Sequence, residues 1–234
     1  MSELANRRGP ALDRVIGAAG GATLGVLAAL ALGPEVAGVL GNASGPLIEE
    51  LSYVVRQLLA RQVDRVEAAT REALVEGECS IEELMLQSLA DERRAAVMMT
   101  ALQGAAAALD DATVRALGRA YARGVLTADD AKVDEQLRIA STLAAWEPAD
   151  IRVLHLMRDG QYWVKRPKED LDVASIVVFD PGVMSVVDAV VARLANQGAI
   201  TDEATSYGAI GKWQITDFGK RCLTELLEAG YRTS

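Results

Sequence analysis

Between Arg14 and Glu35 lie twenty consecutive uncharged residues, Val15 to Pro34, in which small residues recur at every fourth position: Gly17, Gly21, Gly25, Ala29 and Gly33. The register runs on through Ala37 to Gly41. Steps of four keep one face of a helix nearly in line, so the segment reads as an apolar rod with a groove of missing side chains. Each glycine weakens an isolated helix by about 1 kcal/mol relative to alanine, so in-register glycines need close packing against another backbone to be worth keeping. Small residues at this spacing let two membrane helices approach closely.

Three environments fit the segment. About 20 apolar residues cross a bilayer core. Arg7, Arg8 and Arg14 precede the stretch and the next cation is Arg56, so the positive-inside rule would hold the N-terminus in the cytoplasm. A span or interfacial hairpin over 15–41 would place the protein at a bacterial inner membrane. A secretory signal is suggested by the basic start and by Ala29-Leu30-Ala31, but Asp13 stands in the n-region and the apolar run is long. The third environment is the centre of a soluble, cytoplasmic assembly. Lipid and protein interior both reward small residues four apart, and both imply a homo-oligomer.

The remaining composition excludes several function classes. Half of the 234 residues are apolar but only 4% are aromatic, so the core must be built from Ala, Val and Leu, which favours closely packed helices over a β-sandwich. A net charge of −9 argues against a protein that coats nucleic acid. Cys79 and Cys222 stand far apart, outside any CxxC or Cys/His cluster, and the single histidine is His155. That pattern fits a reducing compartment and no metal site. No nucleophile elbow, P-loop or dinucleotide fingerprint occurs, so the chain reads as non-enzymatic and without a cofactor.

Taken in order, Met1 to Leu12 is a small polar tail, Gly33-Pro34 breaks the ladder, and 41–46 is a turn that leaves Pro46 ready to open a helix. Ile48, Leu51, Val55, Leu58, Val66 and Ala69 follow three-and-four spacing, which predicts one long amphipathic helix from Leu47 to about Glu76. Ser80-Ile81-Glu82-Glu83 is a capping box that opens a helix reaching about Leu89. A further helix is expected from Asp91 to Leu109, with Arg93 and Arg94 on its solvated face. Asp110-Asp111 then caps a helix over Ala112–Arg123 that stops at Gly124, and Thr127 caps Ala128–Trp146. Asp129, Asp130, Asp134 and Glu135 read as helix-start acids, because no Glu-x-x-His partner exists for a carboxylate metal cluster. Short turns between these helices predict an antiparallel bundle.

From Glu147 the character changes. A short helix is expected over Ile151–Met157, a turn at Asp159-Gly160, and a strand in the β-branched run Val173–Phe179. Asp180-Pro181-Gly182 leads into a helix over Val183–Asn196. Ala199–Thr201 and Trp213–Thr216 are expected to pair as a hairpin wing, and Thr216 to cap a last helix, Phe218–Ala229. Helix, helix, hairpin, helix is winged-helix order, with Tyr207, Lys212 and Trp213 as candidate wing or interaction residues. The helix in the recognition position carries Asp188 and a single cation, Arg193, whereas groove-reading helices bring several cations or amides to phosphates and bases. Lys165, Arg166 and Lys168, with Tyr162 and Trp163 nearby, are offset by Glu169, Asp170 and Asp172. Protein contact is favoured over duplex recognition.

Two motifs carry a family resemblance. Leu194-Ala195-Asn196-Gln197-Gly198-Ala199-Ile200 followed by Ile215-Thr216-Asp217-Phe218-Gly219-Lys220-Arg221-Cys222-Leu223 matches a Leu-x-x-x-Gly-x-Ile … Ile-Thr-x-x-Gly-x-x-x-Leu ending. Thr142 to Leu154, with Leu143, Pro148 and Leu154, nearly matches Leu-x-x-Leu-x-Pro-x-x-x-x-x-Leu. With the apolar N-terminus and the bundle before them, these parts resemble the abortive infection alpha (Abi-alpha) proteins of bacteria and their phages, from roughly Pro46 onward. The resemblance implies a role in phage exclusion or abortive infection, with a phage or host protein as partner. The alternative is a cytoplasmic winged-helix regulator or adaptor with a dimerising bundle. The domain plan expected is a basic tail over 1–14, a glycine-zipper segment over 15–45, a helical bundle over 46–147 and a winged-helix-like α+β domain over 148–234, mainly α overall.

Overall fold

The computed structural model describes residues 46–163, 176–178, 180–202 and 213–231, with the side chains of 46–57, 59 and 159–163 excepted. The expected glycine ladder over 15–41 lies outside the described residues. Among the described residues no helix is long and apolar enough to cross a membrane. The chain is mainly helical, with a bundle-like first unit ending at Ala140 and a second unit from Ser141 that holds a small two-stranded sheet.

The first unit is built on α1, Pro46–Gly77, the long helix that the three-and-four spacing predicts. It is followed by α2, Ile81–Ser88, α3, Glu92–Ala107, α4, Asp111–Leu126, and α5, Asp130–Ala145, which runs across the boundary between the units. Caps set the starts. Ser80 Oγ accepts from the Glu83 amide, Asp91 Oδ1 from Arg94 and Asp110 Oδ1 from Thr113, at 2.8–3.1 Å. Thr127 and Asp129 share the next start: Thr127 Oγ1 accepts from the Asp129 amide and Asp129 Oδ1 from the Ala131 amide.

Small residues decide how these helices meet. A Cβ on Gly118 would stand 2.4 Å from the Ala69 carbonyl oxygen, so α4 lies directly on the backbone of α1. Arg119 Nε donates to Glu72 at 2.8 Å and Arg123 Nε to Glu76 at 2.7 Å along the same seam. These pairs advance together along both helices, so α1 and α4 run parallel, and α3 returns antiparallel between them. The expectation of purely antiparallel neighbours is corrected here: α2 and α3 together form the return path that lets α4 repeat the direction of α1. The core is Val66, Ala69, Ala73, Leu84, Val97, Leu102, Leu117, Tyr121 and Val125, each at most 1% exposed. Tyr121 reaches Ser88 at 2.8 Å; Ser88 Oγ donates to the Leu84 carbonyl, so the phenol donates to Ser88. Burial pushes the Tyr121 pKa up to about 12.

Several boundaries differ from the sequence expectation, among them the start of the helix expected from Val183, which lies at Val187. Helix α4 does not stop at Gly124 but runs through it to Leu126, because Gly124 is a packing glycine: a Cβ there would meet Val97 at 2.8 Å and Gln136 at 3.0 Å. In the second unit α6, Pro148–Trp163, continues through Asp159-Gly160. One internal glycine costs about 1 kcal/mol, less than the burial of Ile151, Val153, Leu154 and Met157 on the same helix contributes. Residues 176–178 are helical where a strand was expected; Ile176 is fully buried and its carbonyl accepts from the Asp180 amide at 2.9 Å. The rest of that β-branched run lies outside the described residues.

A short 3-10 turn, Pro181–Val183, capped by Asp180, then precedes α7, Val187–Asn196. Strand β1, Ile200–Asp202, pairs antiparallel with β2, Trp213–Ile215, with Ile200 opposite Ile215 and Asp202 opposite Trp213. Helix α8, Asp217–Glu228, closes the unit with Thr216 as its N-cap. Helix α6 packs against α7, α8 and β2.

Replacing Gly118 by alanine forces α1 and α4 apart along a seam with no flexible atom to yield. The expected cost is about 1–3 kcal/mol, seen as a lower melting midpoint by circular dichroism. Gly219→Ala should do the same in the second unit, where the Cβ would stand 2.1 Å from the Ala199 carbonyl oxygen.

Candidate interaction site

The residues singled out by the sequence do not come together as one described site. Gly17, Gly21, Gly25, Ala29 and Gly33 lie outside the described residues, as do Tyr207 and Lys212. Trp213 opens β2 and is half-buried.

The Leu-x-x-x-Gly-x-Ile and Ile-Thr-x-x-Gly motifs have a local structural account. Gly198 adopts φ 73°, the left-handed conformation that ends α7, and the Ala199 amide donates back to the Leu194 carbonyl at 2.9 Å. Thr216 Oγ1 accepts from the Gly219 amide at 3.0 Å while donating toward the Gly198 carbonyl at 2.7 Å. Gly219 leaves room for the Ala199 carbonyl. The two motifs therefore clamp the end of α7, the start of β1 and the start of α8 to one another.

The cation in the recognition position is tied up by the same unit. Arg193 Nε donates to Asp150 Oδ1 and its Nη2 to Glu147 Oε2, both at 3.0 Å. Asp150 is fully buried, and its other oxygen accepts from the Glu147 amide at 2.7 Å, capping α6 from inside the helix. Desolvation raises the Asp150 pKa against the opposing pull of its hydrogen bonds to Glu147 and Arg193. The Arg193 pKa is also raised: burial would lower it, and the hydrogen bonds and charges of Glu147 and Asp150 outweigh that. Beside this cluster Trp146 Nε1 donates to Gln197 Oε1 at 2.7 Å. Arg193 is thus a staple between α6 and α7. The sequence marked it as a lone cation, but Asp150 lies 43 residues away and no local pattern announces the pair.

One residue of the Arg93-Arg94 pair reads differently from its sequence expectation. Arg94, expected on a solvated face, donates to the Val125 and Thr127 carbonyls at 3.2 and 2.7 Å and pairs with Asp91, so it satisfies the C-terminal carbonyls of α4. Arg93 does lie exposed, 3.6 Å from Asp130 and 3.7 Å from Asp134. Among the described residues no group of three or more His, Cys, Asp and Glu could hold a metal ion. His155 Nε2 lies 3.1 Å from Arg158 Nη2.

A cavity of about 410 Å³ opens between Gly77, Cys79, Glu83, Arg94, Leu126 and Thr127. Desolvation, reinforced by the Glu83 charge, raises the Cys79 thiol pKa, which makes the thiolate scarce at neutral pH. The Arg94 donors facing this region are already engaged, so the cavity presents neither an activated nucleophile nor an available guanidinium. No protein-family model, curated protein or solved structure matches the chain.

Arg193→Ala strands a buried carboxylate and should lower stability by about 3–5 kcal/mol, measured by urea unfolding at pH 7. A carboxyl whose folded pKa is raised favours the folded state when protonated, so its contribution is lost as pH rises through the folded pKa. Without Arg193 that pKa climbs further. The deficit of the variant relative to wild type should therefore shrink on moving from pH 7 to pH 5, and Asp150→Asn combined with Arg193→Ala should be milder than Arg193→Ala alone.

Proposed function

We propose that the chain is a non-enzymatic phage-exclusion or abortive-infection-type protein. In this reading a membrane-associated small-residue segment over 15–45 supplies the effector step and a winged-helix-like C-terminal unit over 148–234 meets a phage or host protein. The single observation that carries the choice of protein over nucleic acid is the capture of Arg193. It is the one cation on α7, and two carboxylates hold it. A helix in that state offers phosphates no counter-charge, and phosphate neutralisation supplies most of the affinity of duplex binders. The helix–helix–strand–strand–helix order of α6, α7, β1, β2 and α8 supports the winged-helix-like description. A fold of that kind hosts many functions, so the site argument has priority over the fold.

The phage-conflict role rests on the resemblance in the two motifs and on the small-residue ladder. The competing reading, a cytoplasmic regulator or adaptor, is favoured by the same element order and opposed by the charge on α7.

The test is expression of the full chain in a bacterial host challenged with phage, together with alkaline carbonate washing of its membranes. Retention in the washed pellet and reduced plating, both lost on deleting residues 15–41, are the expected results. Salt-dependent binding to duplex DNA that disappears when residues 203–212 are removed would overturn the reading in favour of a regulator.

A further inference from the structure

We draw no further inference here: the strongest candidate, the cavity of about 410 Å³ where α1 and α4 end beside the start of α2, is lined by a lone thiol, Cys79, and the carboxylates Glu78 and Glu83, and nothing in the structure shows what ligand would occupy it.

Discussion

The bundle depends on one close approach, Gly118 against the carbonyl of Ala69. With so few aromatic side chains the core cannot be filled by bulk, so the helices have to come together until alanines and glycines touch backbone. That distance brings Arg119 and Arg123 within reach of Glu72 and Glu76, and it lets Tyr121, the largest side chain in the core, fill the space beside α2. The ion pairs are half-buried and flank an apolar seam; they favour this register, since slipping α4 by one turn would leave partners for only one of the two pairs.

A buried charge plays the corresponding role in the second unit. Asp150 is held inside by its cap on Glu147 and its bond to Arg193, and neither is replaceable by water at that depth. Burying a carboxylate is costly unless its partners are fixed, so the pair ties the start of α6 to α7 more strictly than hydrophobic contact would. The Gly198–Thr216–Gly219 clamp does the same for β1, β2 and α8. Between them, these two devices engage Glu147, Asp150, Arg193 and Thr216 among the described polar residues of this unit. They also explain why winged-helix-like sequence signals here carry architecture and little chemistry.

Much of this was legible in the residues. The three-and-four spacing from Leu47 onward, the Ser80, Asp110 and Thr216 caps and the β1–β2 pairing all follow from local rules, because each depends on groups within a few residues or on a two-residue period. The misreadings share one cause. Gly124 and Gly160 carry the local signal of a stop, yet a glycine inside a helix does not end it when what lies beyond packs well. The Val173–Phe179 run has β-branched composition, but at 176–178 local helical hydrogen bonding and the burial of Ile176 prevail over that preference. Arg94 looked solvated because the carbonyls it serves, on Val125 and Thr127, are more than thirty residues away.

By itself, then, the sequence determined where most of the helices begin, which faces are apolar, and that the core would be small-residue and close-packed. Those properties reside in composition, capping and periodicity, which act over one or two turns. Only the tertiary structure decided that α1 and α4 run parallel and that Arg193 is consumed by Asp150 and Glu147. Each of these depends on which distant backbones lie against one another, and that is set by the fit of Gly118, Gly124 and Gly219 to particular neighbours that their own spacing does not reveal.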